Sequence, residues 1–183
     1  KSTVSANIAT TFAKQGLHTL LVDSDLRRPT INATFGIDNP QGLSNYLSER
    51  NFDINSIIYK TSVKNLYVMP SGPIPPNPSE LVGSKRMAEL IKKLSEQLDL
   101  VIFDAPPVLS VTDAQIVSTN VDGTILVVRA NKTEKAAVKE AVRLIKQVGG
   151  HIIGTILNDV EVKGSGYYGY YGYSKGSKKK KWV

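Results

Sequence analysis

The residues best suited to chemistry are aspartates standing where apolar runs stop. Asp23 and Asp25 follow Leu20-Leu21-Val22 and precede Leu26-Arg27-Arg28-Pro29. At positions i and i+2 they leave the end of an extended segment on the same side. Two carboxylates held together are costly unless a cation lies between them; the plainer alternative is that Asp25 pairs with Arg27 or Arg28. Asp104 ends a second run, Leu100-Val101-Ile102-Phe103, just before Ala105-Pro106-Pro107, where a turn residue would also fit. With no cysteine and only two histidines in the chain, acids at strand ends point to a hard divalent cation such as Mg²⁺.

A partner for such a cation is written at the start of the sequence. Lys1-Ser2-Thr3 runs directly into a helical pattern and has the form of the second half of a P-loop, G-x-x-x-x-G-K-[ST]. In that reading Lys1 reaches the β- and γ-phosphates of ATP, Ser2 offers its hydroxyl to Mg²⁺, and Thr3 lies beside them. The amides of the helix start add partial positive charge where phosphate sits, and Asp104 holds the metal through water. The strand and loop that ordinarily come ahead of this motif belong at the centre of a sheet.

A second chemical group lies at the other end. Tyr167, Tyr168, Tyr170, Tyr171 and Tyr173 put five of the eight tyrosines into seven consecutive positions, interleaved with glycine. Glycine weakens both helix and strand interiors, and adjacent tyrosines point to opposite faces of a strand. Closely spaced phenolic hydroxyls on such a segment suit a substrate; weak association through an aromatic low-complexity tail is the competing reading. Gly164-Ser165-Gly166 reads as a hinge before it.

The elements that must position these groups are legible from periodicity. Leu20–Val22, Leu100–Phe103, Ile125–Val128 and Ile152–Leu157 are continuous apolar runs, as strands covered on both faces would be; Leu66–Met69 is a fifth, weaker one. Met87, Leu90, Ile91, Leu94 and Leu98 share one helical stripe, as do Val138, Ala141, Val142, Ile145 and Val148 ahead of Gly149-Gly150. Val4, Ile8 and Phe12 line a face of a first helix closed by Gly16. Asn77-Pro78-Ser79 reads as a chain break that caps a following helix. The alternation implies an α/β doubly wound, mainly parallel sheet over residues 1–163, with 164–183 as a tail. Ligands in such sheets sit at the carboxyl ends of the strands, which adds Arg129-Ala130-Asn131 and Asn158-Asp159 to the places of interest.

Composition limits the function classes. The chain has 183 residues, 41% hydrophobic and 21% charged, ordinary for one soluble domain. No apolar run approaches the roughly 20 residues of a membrane span, and the lack of cysteine fits a reducing cytoplasm. The net charge of +7 is concentrated at the end: residues 161–183 hold six lysines and one acid, leaving 17 basic and 15 acidic residues elsewhere. A nearly neutral body argues against nucleic acid as a partner. The run Lys178–Lys181 suits either an anionic membrane surface or solubility alone.

Taken together, Val22-Asp23-Ser24-Asp25-Leu26-Arg27-Arg28-Pro29, Phe103-Asp104-Ala105-Pro106-Pro107, Pro75-Pro76-Asn77-Pro78-Ser79-Glu80-Leu81 and the tyrosine cluster resemble the bacterial tyrosine kinases of capsule and exopolysaccharide synthesis. The likeness runs from Lys1 to Tyr173 and is greatest to the separate cytoplasmic kinases of Gram-positive bacteria; single motifs are shared with deviant-Walker P-loop ATPases. The resemblance implies that Lys1 and Ser2 end Walker A, that Asp23 and Asp25 form Walker A′, and that Asp104 is Walker B. It implies ATP and Mg²⁺ as cofactors, Asn158 near adenine (turn capping is the alternative), and Asp23 as acceptor of the tyrosine proton with Asp25 in the metal shell. It also implies a transmembrane adaptor of the polysaccharide co-polymerase type, a cognate tyrosine phosphatase, and a ring of copies phosphorylating one another's tails. Such a kinase sits in the cytoplasm at the inner face of the membrane through its adaptor. Arg27 and Arg28 are open between phosphate, a neighbouring subunit and surface ion pairs. A non-kinase ATPase switch of the partitioning or division-site type, a catalytically silent scaffold and an RNA-binding protein are the alternatives.

Overall fold

The computed structural model describes residues 1–38 and 40–161. Its elements, in order, are α1 (Ser2–Lys14), β1 (Thr19–Asp23), α2 (Ile31–Phe35), α3 (Leu43–Ser48), a 3-10 turn (Ile54–Ile57), β2 (Tyr59–Lys60), β3 (Leu66–Met69), α4 (Pro78–Val82), α5 (Lys85–Gln97), β4 (Leu100–Asp104), α6 (Asp113–Ser118), β5 (Thr124–Arg129), α7 (Lys135–Gln147) and β6 (Ile152–Asn158). The alternation of strand and helix is the one the apolar runs predict, and the five expected strands are β1 and β3–β6. The short elements α2, α3, β2 and α6 carry too few periodic residues to be read from sequence, and α4 was signalled only by its Asn77-Pro78-Ser79 start. No helix among the described residues is long and apolar enough to cross a membrane.

β1 lies between β3 and β4, parallel to both, and β2 pairs antiparallel with the outer edge of β3. Every residue of β1 is buried, which is why Leu20-Leu21-Val22 shows no alternation. One core layer joins Leu20, Val22 and Met69 to Met87, Leu90, Ile91 and Leu94 of α5. A second layer packs Leu21, Leu66 and Val68 on Ala6, Ala9 and Ala13 of α1. Ser84 caps α5, its hydroxyl accepting the Met87 N–H at 3.2 Å. Asn77 stands before α4 with Pro78 in its first turn; the Asn77 side chain caps no backbone amide and instead donates to Glu80 Oε2 at 2.8 Å.

The α/β, mainly parallel architecture is the expected one, and two finer features come from the structure. The sheet is not continuous among the described residues: β5 and β6 form a separate parallel pair. The carboxyl-terminal strands are therefore not buried on both faces, and Ile125, Ile153 and Leu157 are exposed. Nor does the stripe Val4, Ile8, Phe12 of α1 form the core; the alanine face does, because small residues let the helix approach β1 and β3 closely. The larger side chains line a cavity of about 430 Å³ between β4 and β5 together with Leu100, Ile102 and Ile125. Thr124 borders the same cavity, and its Oγ1 is buried without a hydrogen-bond partner.

Candidate active site

Asp23 and Asp104 are direct neighbours in the register of β1 and β4, so the topology sets two acids side by side at the carboxyl edge of the sheet. The strand ends are tied by Ser24, whose N–H and hydroxyl both donate to the Asp104 carbonyl, at 3.1 and 3.0 Å. The turn from β4 then leaves through Ala105-Pro106-Pro107.

Three side chains from the start of α1 converge on the Asp104 carboxylate, which is itself buried. Lys1 Nζ donates to Oδ2 at 3.0 Å, the Ser2 hydroxyl donates to the same oxygen, and Ser5 Oγ donates to Oδ1 at 2.9 Å. Lys1 precedes the helix without a side-chain cap, leaving first-turn amides available to an anion. Ser5 was missed in the sequence; its spacing of one helical turn from Lys1 and Ser2 was the available signal. Thr3 is exposed on the same turn and shares no hydrogen bond with Asp104.

The paired aspartates divide their work. Asp23 is fully buried, and its Oδ2 accepts the N–H groups of Thr30 and Ile31, each at 3.0 Å, while Oδ1 accepts that of Asp25 at 3.2 Å. Burial pushes its carboxyl up to about 6; the amides of Ile31 and Thr30 pull against this, and the neighbouring Asp104 charge adds to it. Asp25 accepts the N–H groups of Arg27 and Arg28 on Oδ1, at 3.3 and 3.0 Å, and its Oδ2 accepts no hydrogen bond from the described residues. The contact with the two arginines is thus through backbone and not through guanidinium. Arg27 instead forks onto Asp113.

The expected grouping of three acids around a cation is not assembled: among the described residues no three Asp, Glu, His or Cys side chains gather as a metal cage. Asp23 is turned inward onto backbone amides, which leaves Asp104, Asp25 and the Ser2 hydroxyl. These hard oxygen donors fit Mg²⁺, which keeps several waters and is commonly held by one or two carboxylates plus substrate phosphate.

Asn158 ends β6 in register with Arg129 of β5, and its carbonyl accepts the Ala130 N–H at 2.8 Å. Beside it Arg129 and Lys132 pair with Asp159 at 2.7 and 3.4 Å. Asn158 belongs to the separate strand pair and shares no hydrogen bond with Asp104. Tyr167, Tyr168, Tyr170, Tyr171, Tyr173 and the run Lys178–Lys181 lie outside the described residues.

Residues 1–157 match the family model described as an AAA domain. The chain is 42% identical over 169 residues to a putative tyrosine-protein kinase, CapB, of Staphylococcus aureus, spanning 92% of this chain and 74% of that one. It is 41% identical over 172 residues to tyrosine-protein kinase YwqD of Bacillus subtilis, spanning 92% and 72%. Among solved structures it resembles the chimerical protein CapA2B2, with a TM-score of 0.83 and 40% identity over 87% of this chain and 70% of that one. The septum site-determining protein MinD of Pyrococcus horikoshii, solved with Mg-ADP, matches with a TM-score of 0.70 and 25% identity over 85% and 63%.

Proposed function

Because the chain belongs to the bacterial tyrosine-protein kinases, we propose that it transfers the γ-phosphoryl group of ATP to tyrosine hydroxyls. The observation that carries this reading is the convergence of Lys1, Ser2 and Ser5 on the buried Asp104, beside Asp23 and Asp25. The solved MinD complex with Mg-ADP, similar in fold and 25% identical, supports a magnesium nucleotide as the ligand. Phosphoryl transfer proceeds through a loose transition state, so the protein's part is positioning and charge stabilisation.

In this reading Lys1 leaves Asp104 for the phosphates, and the first-turn amides of α1 hold the non-bridging oxygens. Mg²⁺, held by Ser2 and through Asp104 and Asp25, supplies charge neutralisation on the transferring group. Asp23, with its carboxyl raised to about 6, accepts the phenolic proton as the phosphoryl group moves. A phenol has a pKa near 10, so transfer of that proton is concerted with phosphorylation rather than prior to it. Asn158 is the adenine-facing residue, and Thr3 stands beside the phosphates.

The acceptors we assign are the tyrosines of 167–173, reached between copies of the chain in a ring. The tail 164–183 is then the substrate arm of the domain 1–163. The partners are a transmembrane adaptor that holds the kinase at the inner membrane face and a phosphatase that resets the tail. A role in capsule and exopolysaccharide synthesis goes with them. We assign the slot between β4 and β5 to a parallel strand that leads into the glycine half of the P-loop ahead of Lys1. Its apolar lining and the unpartnered Thr124 hydroxyl support that assignment.

Incubating the kinase, with its P-loop complete, with γ-labelled ATP and Mg²⁺ tests the reading. Label on tyrosine is the expected result. Release of free phosphate alone would instead indicate an ATPase switch, and failure to bind Mg-ATP a scaffold.

A further inference from the structure

Arg27 is held by groups that the phosphate-handling residues do not use. Its Nε donates to Asp113 Oδ2 at 2.9 Å, and its Nη2 donates to Asp113 Oδ1 at 3.2 Å and to Ser79 Oγ at 2.8 Å. Ser79 in turn donates to Asp113 Oδ1 at 2.7 Å. The Asp113 side chain is 0% exposed whereas Arg27 is 37% exposed, so a buried acid is satisfied by a guanidinium reaching in from the surface. Burial pushes the Asp113 carboxyl up, but the Arg27 guanidinium and the Ser79 hydroxyl outweigh this and hold it below the usual range.

The three residues come from three different connections. Arg27 lies in the turn after β1, Ser79 in the first turn of α4 after β3, and Asp113 begins α6 after β4. The node therefore ties together three of the segments that leave the carboxyl edge of the sheet. Arg27 is also joined to Asp25, since its own N–H and that of Arg28 both fall on Asp25 Oδ1.

We propose that Arg27 is a positioning residue for the metal site: its fork, fixed by Asp113 and Ser79, sets the 25–28 turn so that Asp25 presents Oδ2 to the divalent cation accompanying the nucleotide. The inference rests on the nucleotide site proposed above and adds the device that orients one of its oxygen donors. Lysine cannot replace Arg27, because an ammonium lacks the planar fork that meets both carboxylate oxygens and the hydroxyl together. Groups that orient a metal-binding side chain commonly change metal affinity or activity 10–100-fold when altered, by general experience of such sites.

The test is the affinity of a fluorescent ADP analogue, measured with Mg²⁺ and with EDTA, for the full kinase and its Arg27→Lys and Ser79→Ala variants. Arg27→Lys is expected to reduce the Mg²⁺-dependent gain in affinity by about 10-fold or more and to leave Mg²⁺-free affinity within about twofold. Ser79→Ala, which removes one of the bonds, follows in the same direction with a smaller loss. A Mg²⁺ gain unchanged in both variants, or a parallel fall with and without Mg²⁺, would overturn the proposal and leave the node as a brace of the fold. Wild-type protein that binds no nucleotide would sink this inference together with the kinase reading. Wild-type protein that binds Mg-ADP yet labels no tyrosine would sink the kinase reading alone.

Discussion

Asp23 faces inward while standing at the edge where a substrate must arrive. Its raised pKa of about 6 means that folding favours the protonated carboxyl. The stability this group contributes is thus present below its unfolded value near 3.9 and is lost as pH rises through about 6. That loss is about 3 kcal/mol by linkage, a cost of keeping a base near neutrality. In its proposed role as base the sign is reversed, because the carboxyl must be ionised: kcat/KM is expected to fall about tenfold per pH unit below roughly pH 6, readable from initial rates of tyrosine labelling. A flat profile between pH 5 and 7 would remove Asp23 from the proton path. Asp23 and Asp104 were legible as strand-end acids because each directly ends an apolar run, and Asp25 follows Asp23 by two residues. The pairing of Arg27 with Asp113 was not, because 86 residues separate them and only the fold brings α6 to the turn after β1. Ser5 was within reach of helical spacing, but a serine in a first turn carries no signal until its partner is known.

At the scale of elements, the start of α3 is seated on the loop that follows β3. The N–H groups of Leu43 and Ser44 donate to the carbonyls of Pro70 and Ser71, both at 2.8 Å, and Ser44 Oγ donates to the Pro73 carbonyl at 2.7 Å. Gly42 permits this approach, since a Cβ there would collide with Pro70 O and Gly72 N. These are backbone atoms that cannot swing aside, so Gly42→Ala is expected to cost about 2–3 kcal/mol and lower Tm by roughly 5–10 °C in a thermal melt. In α5, by contrast, sequence and structure agree closely, because four of the five stripe residues are buried. Leu90→Ala there should cost about 2–5 kcal/mol by denaturant unfolding, and a loss below about 1 kcal/mol would mean that the stripe is not core. Periodicity identified α1 as a helix with Val4, Ile8 and Phe12 on one face, and contact with β1 and β3 selected the face of Ala6, Ala9 and Ala13 for the core.

At the scale of the whole molecule, charge and the proposed acceptor tyrosines lie at one end of the chain and the acidic strand ends in the body. Residues 161–183 carry six lysines against one acid, and each phosphotyrosine adds about −1.5 to −2. Four or more phosphates would reverse the sign of this segment. The proposed ring, held by unmodified tails, is accordingly expected to fall to smaller species on phosphorylation, as followed by sedimentation velocity; a ring unchanged by full tyrosine phosphorylation would contradict that proposal. The division into a domain over 1–163 and a tail over 164–183 is proposed from composition, and the tail lies outside the described residues. The gap between β4 and β5 was not legible from the apolar runs, since no residue within the sequence marks an unpaired strand edge.

The central claim is that the aspartate-lined edge drives phosphate onto the tyrosines of this chain. Mass spectrometry of the peptide covering residues 164–176, after incubation of the full kinase with Mg-ATP and its adaptor's cytoplasmic segment, tests it most directly, with Asp104→Asn and Asp23→Asn as controls. The account predicts phosphate on Tyr167–Tyr173 in the wild type and its loss in both controls. An unmodified peptide alongside rapid ATP hydrolysis, or equal phosphorylation in the controls, would contradict it.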